Sequence, residues 1–163
     1  MKRRVVITGL GVVTSLSCQV EDLFARVLKC ESGIHLLKVF DTSRFEVRIG
    51  GDVWDWNPTG QIEHRELKRL DRFSQFALVA AQDAVADSGI DFSQEHPYRC
   101  GVILGSGIGG LNEIEDQLHR LIQKGPDRVS PLTIPKLMLN AAGGNISIKY
   151  GIRGPNYTVA TAC

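Results

Sequence analysis

The order of apolar and polar residues predicts strands and helices that alternate along the chain. Val5-Val6-Ile7-Thr8 is a β-branched run that leads into Gly9-Leu10-Gly11, which predicts a buried strand followed by a tight turn. Apolar residues at helical spacing predict a helix over 19–30, with Gly33 as its stop. The stretch 34–60 combines alternating residues with turn formers, and it predicts a hairpin or a loop.

The longest helical pattern covers residues 64–88. Its second half is rich in alanine and Gly89 follows it as a C-cap, so we expect another segment to pack closely against it. A second buried strand is predicted over 100–104, and a glycine-rich loop then leads into a further helix. A last helix is predicted over 136–150, with Pro135 at its first turn.

Gly143 and Gly144 lie inside this last predicted helix, where each glycine costs about 1 kcal/mol relative to alanine. A cost of that kind predicts that another segment packs against the backbone there. A closing strand is predicted over 156–162. Because strands and helices alternate, we expect an α/β fold in which at least part of the sheet is parallel.

Composition narrows the class of protein without identifying a function. The 163 residues fit one domain, and 43% hydrophobic with 23% charged residues is ordinary for a globular protein. The 19 basic and 18 acidic side chains give no overall case for binding nucleic acid or an anionic membrane, and no apolar run is long enough for a membrane span. The four cysteines form no C-x-x-C pair, and the N-terminal apolar run is too short for a signal peptide. We therefore expect reduced thiols in a cytoplasmic protein.

A dinucleotide site and a metal site can each be assessed from the sequence. Gly105, Gly107 and Gly110 satisfy G-x-G-x-x-G after a predicted strand and before a predicted helix, as in dinucleotide-binding folds. The acidic residue expected about 20 residues later is missing from a second strand, so the alternative is a tight turn that needs positive φ angles. The four histidines share no spacing typical of a metal site; they are His35, His64, His96 and His119.

A group of cations is predicted on one side of the helix over 64–88. Arg65, Lys68 and Arg69, here called the basic patch, stand at helical spacing with Arg72. Acidic residues are interleaved with them, so one interpretation is a solvated helix face. The other is a docking surface for an acidic partner.

Cys163 is the candidate nucleophile. It follows the predicted closing strand directly and is the last residue of the sequence. A sharp turn from a strand into a helix would expose such a side chain and would stabilise its thiolate. The ending looks like a cut within an element, and the alternative for Cys163 is a terminal thiol without a role.

Four blocks of sequence together resemble the β-ketoacyl-[acyl-carrier-protein] synthases, with the type II condensing enzymes of fatty-acid synthesis nearest. The resemblance covers the whole chain in order, although the chain corresponds to well under half of such an enzyme. The blocks are Val5-Val6-Ile7-Thr8-Gly9-Leu10-Gly11-Val12-Val13, Asp71-Arg72-Phe73-Ser74-Gln75-Phe76-Ala77, Gly105-Ser106-Gly107-Ile108-Gly109-Gly110-Leu111, and the closing run from Ile148 to Cys163.

This resemblance implies a thiolase-like layered α/β fold with a mixed sheet, of which the chain supplies an incomplete first half. It implies that Cys163 takes an acyl group from the phosphopantetheine of acyl carrier protein, and that its own N–H is one donor of the oxyanion hole. The acyl-enzyme would then undergo decarboxylative Claisen condensation with malonyl-carrier protein. No cofactor would be bound by this chain itself.

The resemblance also implies roles for other residues. Gly107 and Ile108 match a loop that borders the acyl pocket, and Ile134 matches a position reached from the partner subunit of a homodimer. The basic patch lies where relatives dock the carrier protein.

The chain also departs from the family's pattern. Leu132 and Thr133 follow Ser130-Pro131 where relatives often carry two aromatic residues, which leaves the acyl-length preference open. The catalytic histidines, the buried lysine and the second oxyanion donor of relatives would lie beyond this sequence, so we expect the 163 residues alone to be inactive. A non-catalytic ketosynthase-like scaffold or partner subunit and a dinucleotide-binding domain are the two alternatives.

Overall fold

The chain divides into two units in the computed structural model, which describes residues 3–161. One unit comprises the chain up to Pro58 together with Val79–Ile90. The other comprises Thr59–Leu78 and the chain from Asp91 onward.

The first unit begins with an irregular segment that is followed by helix α1 (Val20–Leu28) and by an antiparallel pair of short strands, β1 (His35–Leu36) and β2 (Ile49–Gly50). The predicted helix over 19–30 and the predicted hairpin within 34–60 are therefore confirmed. The helix stops before Gly33, because Cys30 adopts a φ of 57°. A residue in this left-handed region ends an α-helix.

The longest helical pattern forms two helices, α2 (His64–Leu67) and α3 (Arg72–Ser88), so the prediction of one continuous helix was wrong. The break comes at Asp71. Its carbonyl accepts the Gln75 N–H at 3.1 Å, and its carboxylate accepts the Phe73 N–H at 3.4 Å. These are the bonds of a residue that begins a helix, which is a favourable position for aspartate.

The predicted strand over 5–8 is absent, because no described segment forms a ladder with it. Val5 and Ile7 are 92% and 83% exposed. The glycines that follow pack against α3: a Cβ at Gly11 would lie 2.0 Å from the carbonyl oxygen of Ala80, and one at Gly9 would lie 2.1 Å from that of Ala84. The close approach predicted for the alanine-rich half of the long helix is thereby confirmed.

The second unit carries a parallel strand pair, β3 (Val102–Gly105) and β4 (Asn156–Val159), in register from Val102 opposite Asn156 to Gly105 opposite Val159. This confirms the predicted parallel pairing, although among residues 3–161 the parallel and antiparallel pairs belong to separate sheets. The strand predicted over 100–104 is only half buried, because Ile103 is 75% exposed.

Three helices complete the second unit: α4 (Leu111–Lys124), α5 (Thr133–Leu137) and α6 (Ala141–Tyr150). The prediction of one helix over 136–150 was wrong, because the Leu137 carbonyl accepts the N–H of Gly110 at 3.0 Å and Met138 is extended. A Cβ at Gly143 would lie 2.7 Å from Asn156 Oδ1, whereas no described atom lies within 4 Å of one at Gly144. The expected packing thus holds for the first glycine only.

Within the described part of the chain, no helix combines the length and the apolar character that a bilayer span requires.

Candidate functional site

The glycine loop joins β3 to α4 and packs against α5. Gly109 has a φ of 86°, and a Cβ at Gly110 would lie 2.7 Å from Leu137 Cα. Positive φ at Gly109 and close backbone approach at Gly110 each favour glycine. The alternative interpretation of the glycine string as a tight turn is therefore confirmed at Gly109.

The N-terminus of α4, where a dinucleotide would place its pyrophosphate, is already occupied by a carboxylate. The Glu113 N–H donates to Asp71 Oδ2 at 3.1 Å, and Asp71 is only 7% exposed. The Leu111 N–H donates to the Gly109 carbonyl and that of Gly110 donates to Leu137. A buried anion beside engaged N–H groups disfavours phosphate at this helix end. This geometry argues against the dinucleotide-binding alternative.

A buried polar network joins α4 to α5. Glu113 and Gln117 are 4% and 7% exposed, and the Glu113 carboxylate forms an ion pair with Lys136 of α5. Gln117 Nε2 donates to Glu113 Oε1 at 2.9 Å, and the Ser130 N–H donates to Gln117 Oε1 at 2.8 Å. Sequence reasoning missed this network. The available signal was the pair of polar residues one helical turn apart on α4.

The apolar residues of α4 lie on its exposed side. Each of them is between 41% and 73% exposed. They are Leu111, Ile114, Leu118, Leu121 and Ile122. The hydrophobic periodicity therefore predicts helix α4 correctly. The side of α4 that packs against the rest of the second unit, however, is the polar side.

The predicted pocket residues lie on two connected segments of the second unit. Gly107 and Ile108 belong to the glycine loop, and Ile134 belongs to α5, to which that loop is bonded through Gly110. Ile108 and Ile134 are 62% and 60% exposed. The structure thus presents two apolar side chains from segments that are tied together.

Cys163 lies outside the described residues. The strand that leads to it, β4, runs parallel to β3, and the Ser106 N–H donates to the Val159 carbonyl at 3.1 Å. The carboxyl ends of the two strands therefore lie side by side, and the glycine loop begins at that edge. In parallel sheets this edge is where ligands usually bind.

The basic patch is exposed, but it does not form one helix face as predicted. Arg65 belongs to α2, whereas Lys68 and Arg69 lie in the turn that ends at Asp71. Within residues 3–161, none of the three cations forms an ion pair. Their charge is therefore available to an external partner.

A second cationic surface lines an open cavity of about 920 Å³ in the second unit. Its charged lining residues are Arg120, Lys124, Asp127 and Arg128. Three cations against one acid make this cavity suited to an anionic group. Arg120 and Lys124 stand one helical turn apart on α4, a spacing that could have indicated the surface from sequence.

The histidine contact in the first unit holds the β1–β2 region together. His35 Nε2 contacts Asp52 Oδ1, and His35 Nδ1 lies 3.1 Å from the Gly33 carbonyl oxygen. Asp52 Oδ2 also accepts the N–H groups of Lys38 and Val39. Burial of Asp52 opposes its ionisation, but these hydrogen bonds and the nearby His35 outweigh that effect, so the pKa of Asp52 lies below its ordinary value of 3.8. Both ring nitrogens of His35 have structural partners.

Comparison with known proteins identifies the family. The model of the "Beta-ketoacyl synthase, N-terminal domain" matches residues 2–163. The chain belongs to this family. The 3-oxoacyl-[acyl-carrier-protein] synthase 2 of Coxiella burnetii (strain RSA 493 / Nine Mile phase I) is 41% identical over 162 residues, which cover 99% of this chain and 39% of that protein.

Solved ketosynthase structures share the fold of the chain. The ishigamide ketosynthase/chain length factor superposes with a TM-score of 0.83 at 27% identity, over 100% of this chain and 41% of that one. A type II polyketide ketosynthase bound to a hexaketide, solved with its acyl-carrier protein (AntDE:AntF), gives 0.77 at 26% identity, over 98% of this chain and 42% of that one. The predicted thiolase-like α/β fold is thereby confirmed for the portion that this chain represents.

Proposed function

We propose that this chain is the N-terminal part of a chain-elongating condensing enzyme of fatty-acid synthesis, with Cys163 as its nucleophile. The observation that carries the proposal is the family match over 2–163, a range that includes the glycine loop and Cys163. The chain spans 39% of the length of its Coxiella burnetii relative, so the activity proposed is that of the whole protein.

The first step is acyl transfer. The Cys163 thiolate attacks the carbonyl carbon of an acyl thioester on the phosphopantetheine of acyl carrier protein. The tetrahedral intermediate collapses, its carbon–sulfur bond to the carrier breaks, and the carrier leaves as a thiolate that takes up the proton released when Cys163 ionised. Exchange between two thioesters is close to neutral in energy, so the acyl group is held on the enzyme at little cost.

The second step is decarboxylative condensation. A malonyl thioester on a second carrier protein loses CO₂, and the electron pair that remains attacks the acyl carbonyl on Cys163. The Cys163 thiolate leaves, and the product is a β-ketoacyl thioester two carbons longer. We assign the groups that promote decarboxylation to the part of the protein beyond residue 163. Release of CO₂ from malonyl-carrier protein by these 163 residues alone would contradict that assignment.

The acyl chain would lie against the glycine loop, with Gly107 and Ile108 at its border and Ile134 supplied by the partner subunit of a homodimer. The exposure of Ile108 and Ile134 supports this proposal, since more than half of each apolar residue is left uncovered by the described part of the chain. Tyr157 of β4 is also 63% exposed, and we propose that this strand lies at the dimer interface.

Acyl carrier protein would dock on the basic patch. The unpaired charge of the patch supports this assignment, and so does the cationic cavity lined by Arg120, Lys124 and Arg128. Acidic carrier proteins would be attracted to both surfaces, and such complementarity raises association rates. We place the reaction in the cytoplasm.

The test is a condensation assay on the protein expressed from its complete gene. Acyl-carrier protein and malonyl-carrier protein should yield a β-ketoacyl product two carbons longer, and Cys163→Ala should abolish it. A product formed equally well by the Cys163→Ala variant would contradict the proposal, and so would no product from the unaltered protein.

The second candidate function is a non-catalytic partner subunit that keeps the carrier-docking surface. It is favoured by the structural match to a ketosynthase/chain length factor. Cys163 argues against it, because some partner subunits of this type hold another residue at the nucleophile position. Carrier binding without acylation of Cys163 would favour this candidate.

A further inference from the structure

We propose that Glu113, Gln117 and Lys136 are positioning residues that hold α5, and with it Ile134, in place and thereby set the preference for acyl-chain length. The proposal rests on the function proposed above and adds residues to which the family resemblance gives no role.

The burial of these side chains is the first argument. Glu113 is 4% exposed and Gln117 is 7% exposed, although α4 has apolar side chains such as Leu118 that are left 50% exposed. Burying an ion pair has a large desolvation cost, and a protein with apolar residues in its place is often as stable or more stable. The network therefore points to a need for directed bonds, which fix geometry in a way that apolar contacts do not.

The placement of the bonds is the second argument, because they hold α5 at both ends. Before the helix, the Ser130 N–H donates to Gln117 Oε1; at its end, Lys136 pairs with Glu113 and the Leu137 carbonyl accepts the Gly110 N–H. A helix of five residues has little stability of its own. Its position is therefore set by these bonds to α4 and to the glycine loop.

Ile134 lies between the two points of attachment. Its side chain is 60% exposed, so an apolar group is offered outward from a backbone that is held on either side. Glu113, which pairs with Lys136, is itself held in place, because Asp71 Oδ2 accepts its backbone N–H. A displacement of about 1 Å at a binding group can change rates by two orders of magnitude. Loosening α5 should therefore alter which acyl chains fit.

The experiment measures the selectivity of acylation in the protein expressed from its complete gene. The readout is the ratio of initial rates at which hexadecanoyl- and butanoyl-carrier protein acylate Cys163. Lys136→Met leaves Glu113 buried without its cation, whereas Lys136→Arg keeps the charge. The double variant Glu113→Leu with Lys136→Leu removes the directed bond while leaving no charge unpaired, so it serves if the single variant fails to fold. Glu115→Gln, an exposed neighbour on the same helix, is the matched control.

We expect Lys136→Met and the double variant to change the ratio by about tenfold or more, which is the scale at which apolar pockets discriminate chain length. Lys136→Arg and Glu115→Gln should keep the ratio of the unaltered protein. A ratio that stays constant in variants that unfold cooperatively would show a merely structural network and overturn the proposal. If the unaltered protein takes up neither acyl group, the proposed function fails instead.

Discussion

The substitution Gly110→Ala tests whether the glycine string serves packing. A Cβ at this position would lie 2.7 Å from Leu137 Cα and 3.0 Å from the Lys136 carbonyl oxygen, whereas ordinary contact begins at 3.4 Å. Either α5 or the loop must therefore move by at least about 0.7 Å to relieve the first contact. The two nearest conflicting atoms are backbone atoms, so no side-chain rotation can relieve these two contacts, and Asp71 Cγ would lie 3.2 Å away as well.

The cost follows from three contributions. Overpacking of this kind costs about 1–3 kcal/mol, and weakening the hydrogen bond from Gly110 to Leu137 adds up to about 1 kcal/mol. Alanine also has less conformational freedom than glycine in the unfolded chain, which stabilises the folded protein by about 0.4–1 kcal/mol. The middle of these ranges predicts that the free energy of unfolding falls by about 2 kcal/mol.

The matched control is Gly105→Ala, in the same glycine string. No described atom lies within 4 Å of a Cβ there, and the residue is not in the left-handed region, so we expect a change within about 0.5 kcal/mol. Urea unfolding followed by circular dichroism measures both variants in the protein expressed from its complete gene. Equal stability of the two variants, or a more stable Gly110→Ala, would refute the packing argument.

Three further predictions concern stability and partner binding. Gly144→Ala should stabilise the protein by about 1 kcal/mol, because it lies in α6 with no described atom within 4 Å of its Cβ, and a lowered thermal midpoint would contradict this. Because the pKa of Asp52 is lowered in the folded protein, the ionised carboxylate stabilises the fold fully at a pH above the ordinary value of 3.8. This stabilisation is lost as the pH falls through the lower pKa of the folded state. Urea unfolding across that acidic range should therefore show a smaller loss of stability in Asp52→Asn, and identical pH profiles would argue against the assignment. Reversing the three charges of the basic patch to glutamate should weaken carrier-protein binding by roughly tenfold or more, with most of the loss in the association rate, as surface plasmon resonance can measure. Unchanged kinetics at low salt would exclude the patch as a docking surface.

The sequence predicted the elements whose patterns are local. Helix α1, the strand at 102–105 and the strand at 156–159 were recognised from spacing and β-branched runs. The long helices were placed correctly, but their breaks were missed. One break depends on the bonds of Asp71 and the other on the bond of the Leu137 carbonyl to Gly110, which is remote in sequence.

The features that the sequence did not predict correctly share one cause, because each depends on contacts with other segments of the chain. Residues 5–8 have strand composition, yet a strand forms only with a partner, and no described segment provides one. On α4, periodicity reveals an amphipathic helix but not which side the neighbouring segments cover. The ion pair of Glu113 with Lys136 could not be predicted from the sequence for the same reason, since it joins residues on two different helices.

The candidate site was predicted largely from the resemblance of whole blocks. Spacing alone could not make Cys163 a nucleophile, and the glycine string alone fitted a nucleotide site less well than a turn, because the expected acidic residue is missing. What the structure adds is that β3, β4 and the glycine loop meet at one edge, with α5 tied to that loop.

Peptide mapping of the acylated protein shows whether Cys163 is the residue that carries the acyl group. The protein expressed from its complete gene is incubated with a long-chain acyl-carrier protein, digested, and analysed by mass spectrometry. We expect a single acyl group on the peptide that contains Cys163, and none on that peptide in Cys163→Ala. No acylation, or an acyl group carried instead by the exposed Cys30, would contradict the claim that this chain supplies the nucleophile of a condensing enzyme.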